Sequence, residues 1–171
     1  MNVFDALMGR RSIRKYTDEK IPEEKITKLL KAAMNAPSGG NVQPWHFIVV
    51  NKHEMLLRIM EIHPFSKMLE GASHAIIVLG DTTAHSKGIE RFWVQDCSAA
   101  VENLLIATHA MDLGAVWLGG YPNMEIVEGL RAEFNVPDHI NALAVISLGY
   151  PDETKPPREN YRQERVHMNT W

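Results

Sequence analysis

Arg10, Arg11, Arg14 and Lys15 place four cations within six residues, with the Ser12 hydroxyl among them. Left in water, such a cluster is a solvated face. Met by an anion, its arginine forks can bind phosphate or carboxylate oxygens in pairs. Residues 37–45 read Pro-Ser-Gly-Gly-Asn-Val-Gln-Pro-Trp. By composition this is a loop. Its Pro37, Ser38, Gly39, Asn41 and Gln43 also bring amide and hydroxyl groups to a backbone that can be approached closely. The run Trp117-Leu118-Gly119-Gly120 offers either a turn or a stretch of bare backbone against which a flat ring can lie. Together these segments suit an anionic, planar ligand.

Other chemistries lack their signs. The eight histidines stand at 46, 53, 63, 74, 85, 109, 139 and 167, without the paired spacing of a zinc site, so no metal is expected. Cys97 lies among apolar residues in a helical pattern and reads as an inert core thiol. There is no Gly-x-Ser-x-Gly elbow, no phosphate loop ending in Lys-Ser or Lys-Thr, and no Gly-x-Gly-x-x-Gly turn.

The elements that must position these groups follow from periodicity and punctuation. Asn2 caps a helix through Met8, which Gly9 ends. Pro22 opens a helix with Ile26, Leu29, Leu30 and Ala33 on one face, and Pro37 stops it. Trp45–Asn51 and His74–Gly80 read as buried strands, with short helices at His53–Met60 and Lys67–Glu70 between them. Glu90–Asp112 has neither proline nor glycine and would span about 34 Å as a helix. It is apolar on nearly every face, which predicts burial on most sides and a second copy covering one of them. Gly114 closes it. Ala115–Leu118 is a short strand, Asn123 caps a helix through Phe134, and Asn141–Leu148 is the last strand. From Pro151 the tail is charged and proline-bearing, so it should be ordered by lying on a partner subunit.

The chain has 171 residues, 45% of them hydrophobic, which suits one domain with a sizeable core. Its net charge of −3 argues against a nucleic-acid partner. One cysteine, no basic-then-apolar leader and no apolar run of membrane length lead to the expectation of a cytoplasmic protein without a membrane anchor.

The order and spacing of several motifs resemble the FMN-dependent nitroreductases over essentially the whole chain. They are Arg10-Arg11-Ser12-Ile13-Arg14-Lys15-Tyr16, the 37–45 turn, Trp93-Val94-Gln95-Asp96, Leu113 to Gly120, and Gly149-Tyr150-Pro151 before an arginine-bearing tail. The resemblance implies an α+β fold with a mostly antiparallel sheet between helices. It implies an intertwined homodimer, one domain over 1–171 per chain, with 151–171 packed on the partner. It implies FMN, with NADH or NADPH as co-substrate and a small-molecule acceptor such as a nitroaromatic, quinone or flavin, in a ping-pong cycle. Carried over by position, Arg10, Arg11, Ser12 and Arg158 face the phosphate, and Arg14 reaches the flavin pyrimidine edge. Pro37, Ser38, Gly39, Asn41 and Gln43 approach from the other subunit. Leu118, Gly119 and Gly120 lie near the ring. No protein side chain is then the catalyst; the flavin carries the chemistry and Arg14 tunes it. Two departures stand out. The stretch between Asp81 and Glu90 is brief, and Arg14 stands where several members have lysine. Reductive dehalogenation, flavin fragmentation and a non-catalytic flavin-holding redox role share the same motifs and stay open.

Overall fold

The computed structural model describes residues 1–86 and 92–171. Four strands form one antiparallel sheet in the order β1-β2-β4-β3, with β1 at Trp45–Val50, β2 at His74–Asp81, β3 at Gly114–Gly119 and β4 at Ile140–Gly149. The α+β expectation with an antiparallel sheet between helices is met. The strand residues explain the layering. Ile76 and Val78 point to one core while Ala75, Ile77 and Leu79 point to the other, so β2 is apolar on both faces and must be covered on both. Helices α2 (Glu23–Met34) and α4 (Trp93–Ala110) cover the first face; α3 (His53–Ile62) and α5 (Met124–Glu133) cover the second.

Local chemistry sets the helix ends. Asn2 and Asp5 form a reciprocal capping box on α1 (Val3–Gly9), and Asn123 accepts the Glu125 N–H at 3.1 Å to start α5. Pro22 sits one residue before α2 and not at its first position. Gly9 is the last residue of α1, with Arg10 as its C-cap, and a Cβ there would stand 2.7 Å from His109 Nε2 at the tip of a side chain of α4. The α4 helix is shorter than expected at both ends: it starts at Trp93, and Glu90 falls outside the described residues. It ends because Asp112 takes a left-handed φ of 59° while Leu113 donates its N–H to the Thr108 carbonyl at 3.0 Å. Gly114 therefore does not close α4; it opens β3, where Ile13 leaves no room for a Cβ.

A bulge in β4 shapes the end of β3. Val78 pairs with Ala144 and Leu79 with Ala142, which leaves Leu143 as an extra residue. Leu143 and Ala144 then face the same core although they are neighbours in sequence. The freed Leu143 carbonyl accepts the Gly120 N–H at 2.8 Å just beyond β3.

The first part of the tail is held by its own chain. Residues 150–155 dock on the chain's own basic segment: Thr17 N–H donates to the Tyr150 carbonyl and Asp152 N–H to that of Lys15, both at 2.9 Å. From Pro156 onward every residue is exposed, ending at a fully exposed Trp171. Among the described residues no helix is long and apolar enough to cross a membrane.

His74 yields a test of this packing. Ile21 N–H donates to Ser73 Oγ at 2.8 Å, and the same hydroxyl is hydrogen-bonded to His74 Nδ1, also at 2.8 Å. Burial, helped by the Lys20 charge, holds the imidazole pKa below its ordinary 6.5. The folded state then prefers neutral His74, while the unfolded chain takes up a proton as pH falls through about 6.5. This contribution is fully present above that pH and is lost below it, down to the depressed folded value. Urea midpoints should drop between pH 7 and 5.5. The drop should be shallower in His74→Asn, whose amide can still hydrogen-bond Ser73 and does not titrate.

Candidate functional site

The basic segment is extended backbone laid beside β3. Ser12 bridges Ala115 in parallel register, and Ile13 N–H donates to the Ala115 carbonyl at 2.9 Å. Ile13 lies over Gly114 and Tyr16 over Gly149, two glycines that face each other across the β3–β4 register. A Cβ at either would come within 2.7 Å of those side chains. The Tyr16 hydroxyl donates to the Ile13 carbonyl at 2.8 Å, and burial pushes its pKa well above the usual phenol value. On its other side the segment is tied to the tail. Glu153 Oε1 accepts the Arg14 N–H at 2.6 Å, and Lys155 Nζ donates to the Ser12 carbonyl at 2.7 Å. That backbone N–H, with Lys155 beside it, holds the Glu153 carboxyl below the usual range.

Fixed in this way, Arg10, Arg11, Ser12, Arg14, Lys155 and Arg158 contribute to the wall of one cavity of about 710 Å³. Some of this charge is spoken for. Arg10 Nε stands 3.4 Å from Glu102, Lys155 is 3.0 Å from Glu153, and Arg11 donates to the Pro156 carbonyl. Among the described residues, neither Arg14 nor Arg158 forms an ion pair. Two unpaired guanidinium groups beside a hydroxyl, with further cations behind them, make an anion site.

A second cavity of about 580 Å³ is walled in part by Trp117, Leu118 and Gly119, and Arg14 contributes to it as well. The junction of the cation-rich cavity and the strand end is therefore a single arginine. The two expected glycines behave differently. A Cβ on Gly119 would meet nothing within 4 Å, so bare backbone is open to a ligand there. A Cβ on Gly120 would stand 2.8 Å from the Ala142 carbonyl oxygen, so close approach of the bulged β4 already accounts for that glycine.

The turn carrying Pro37, Ser38, Gly39, Asn41 and Gln43 is anchored on α4 and not on the basic segment. Gly39 N–H donates to Asp96 Oδ1 at 3.0 Å, and Gln43 N–H to Ser38 Oγ at 2.9 Å. Gly40, Asn41 and Gln43 all take left-handed φ values, between 51° and 57°, which turn the chain back on itself. Asp96 is buried on the first turn of α4. Its part in holding this turn has no signal in the sequence beyond its place in the Trp93–Asp96 run. His63 is a second such residue. Phe65 N–H donates to His63 Nδ1 at 3.3 Å, so Nε2 carries the proton and donates to the Gly119 carbonyl at 2.9 Å. Cys97 is buried and its pKa is pushed up to about 12, so it remains a thiol at ordinary pH. Among the described residues no group of three or more histidine, cysteine or acidic side chains is placed to hold a metal.

The two glycines should separate in stability measurements. Gly120→Ala drives a methyl into fixed backbone and should cost about 1–3 kcal/mol in urea unfolding. Gly119→Ala should stay within about 0.5 kcal/mol of the parent, as a substitution into open space does.

Comparison with known proteins accords with this geometry. The family model described as the nitroreductase family matches residues 7–69 and 61–150. A protein of Methanothermobacter thermautotrophicus, provisionally named NADH dehydrogenase/NAD(P)H nitroreductase, is 48% identical over 171 residues, covering 100% of this chain and 88% of its own. A crystal structure from Parabacteroides distasonis under the same provisional name superposes with a TM-score of 0.93 at 41% identity, over 100% of both chains. A nitroreductase from Desulfovibrio desulfuricans, provisionally named and solved in complex with FMN, superposes with a TM-score of 0.83 at 30% identity, over 100% of this chain and 98% of its own. On sequence and on fold alike, the chain belongs to the nitroreductase family.

Proposed function

We propose that the chain is an FMN-dependent oxidoreductase. It would take hydride from NAD(P)H and reduce electron-poor acceptors such as nitroaromatics, quinones or flavins. The observation that carries this reading is the placement of Arg14 in the wall of both cavities. An anionic tail on a planar ring needs cations at one end and open backbone beside apolar side chains at the other, and Arg14 stands where the two meet. The donor set fits FMN. Arg10, Arg11, Ser12 and Arg158 would hold the phosphate, Arg14 the pyrimidine edge, and Leu118 with Gly119 the ring side. Gly120 would act by fixing the strand end. When bound, FMN supplies the hydride-accepting and hydride-donating chemistry, as it does in flavoenzymes generally. The chain's own part is to bind, orient and set the potential. NAD(P)H and the acceptor would use the cavity beside Gly119 in turn, which is a ping-pong order.

The same reading makes the protein a homodimer, with Pro37, Ser38, Gly39, Asn41 and Gln43 completing the partner's site. Support comes from surfaces that one chain leaves uncovered. Val3, Phe4, Leu7 and Met8 of α1 are exposed, as are Met168 and Trp171 of the tail. Most of the apolar surface of α4, by contrast, is already buried against α2 and the sheet.

The purified protein should be yellow, with about one FMN per chain. Arg14→Ala should lower the two-electron potential of the bound FMN by roughly 30–60 mV, taking about 30 mV per 1.4 kcal/mol for two electrons, because a fixed cation favours the state with more negative charge. Arg158→Ala should weaken FMN binding about tenfold or more, the loss of one charge-assisted contact, and leave the potential nearly unchanged. Redox titration and FMN affinity of both variants check this. An unchanged potential in Arg14→Ala would remove Arg14 from the ring edge.

A further inference from the structure

We propose that Asp96 is a positioning residue for the cofactor of the other subunit: from the first turn of α4 it fixes the 37–43 turn that its own chain lends across the dimer. The inference rests on the reading above, in which that turn completes the partner's site. The tip of the turn is unfavourable backbone. Gly40, Asn41 and Gln43 all take left-handed φ values, and two of the three carry a Cβ. Within the turn, Gln43 N–H donates to Ser38 Oγ and Asn41 N–H to the Ser38 carbonyl at 3.0 Å. Its ends are tied down: Ala36 is buried behind it, and Asp81 N–H donates to the Pro44 carbonyl at 2.9 Å. Among the described residues, Asp96 is the one side chain from outside the turn that hydrogen-bonds its tip, through Gly39 N–H at 3.0 Å. Pro37, Gly40, Asn41 and Gln43 stay exposed. A strained turn held from beneath, with its amides outward, is preorganised for contact beyond its own chain.

The carboxylate can set this position because its own is set. Trp93 and Cys97 flank Asp96 on α4 and both press on Gly80 of β2, where a Cβ would collide with the Trp93 ring and stand 3.1 Å from Cys97 Sγ. The Cys97 thiol also donates to the Leu79 carbonyl at 3.6 Å. Asp96 is thus buried between two anchors on the sheet, and the positive end of α4 favours its charge. The same helix turn also touches the chain's own site. The Trp93 ring meets Tyr121, the residue after Gly119-Gly120, edge-on with 4.8 Å between centroids. Two routes therefore lead out from the start of α4, one to the partner's site through Gly39 and one to the chain's own through Tyr121. Only the first runs through the carboxylate.

The test reads FMN affinity and stoichiometry from flavin fluorescence and needs no turnover. Asp96→Ala should raise the FMN dissociation constant roughly tenfold, the size of one lost charge-assisted hydrogen bond. Asp96→Asn, whose amide oxygen can accept from Gly39, should stay within about threefold of the parent. Asp96→Ser keeps a polar group on the first turn but falls short of Gly39, and it takes the place of the alanine variant if that does not fold. The deciding sample is a mixed dimer, purified through two tags, of one Asp96→Ala chain and one Arg14→Glu chain. Charge reversal at Arg14 closes the second chain's cation site. The site that remains is built on the first chain's arginines and the second chain's intact turn. It should bind FMN with the parent's affinity. Binding roughly tenfold weaker there would route the effect through Tyr121 within one chain and overturn the proposal. Parent-like affinity in the Asp96→Ala homodimer, or an equal loss in Asp96→Asn, would also overturn it; each of these leaves the FMN reading standing. A parent protein that holds no FMN, or an Arg14→Glu homodimer that binds it undiminished, sinks the reading above and this inference with it.

Discussion

The candidate site depends on one packing constraint: two glycines, Gly114 and Gly149, opposed across β3 and β4, with Ile13 and Tyr16 seated on them. Clustered arginines repel each other and gain nothing from gathering in water. Here they are gathered because Ile13 and Tyr16 alternate with them along an extended backbone, and burial of those two side chains holds the segment down. The geometry works only where the sheet surface lacks Cβ atoms. Larger residues at 114 or 149 would lift the segment from the sheet and take Arg11, Ser12 and Arg14 with it. The cation-rich wall is thus a consequence of sheet packing.

A second constraint operates at the other end of β3. The bulge at Leu143 turns a carbonyl toward Gly120, and His63 holds the Gly119 carbonyl. Between these two hydrogen bonds the strand end is fixed while Gly119 itself stays uncovered. Rigidity comes from the neighbours, and the open residue is left free to meet a ligand. Bulges beside functional sites commonly work in this way, by ending regular pairing where a ligand must approach.

Much of the architecture is legible in the sequence because the signals are local. Runs such as Ala75–Leu79 are apolar at successive positions and therefore buried on both faces. Asn2 and Asn123 announce helix starts through their own side chains. The basic segment is legible as a cluster, and its partner Arg158 only through resemblance. What stays hidden is set by contacts far apart in sequence. Gly114 and Gly120 look like stops or turns, yet each is small because another part of the chain crosses it. The end of α4 is set by an aspartate in a left-handed conformation, where glycine is the usual signal. Asp96 and His63 bind backbone groups 57 and 56 residues away, and no spacing rule reaches that far. The docking of residues 150–155 on 12–17 is hidden for the same reason: a charged, proline-bearing tail shows no pattern until its partner is known.

The amide turn and the cation-rich cavity are built on different supports within one chain. The first hangs from Asp96 at the start of α4; the second rests on the β3–β4 glycine pair. A ligand that needs both kinds of group would be served by two copies, each lending its turn to the other. Such an arrangement makes assembly a condition for a complete site. It also gives a reason for the location of the uncovered apolar side chains. Phe4 and Leu7 lie on α1, the helix that leads directly into the arginines, so burying them against a second copy would fix the near end of the same segment that the glycine pair fixes at its far end.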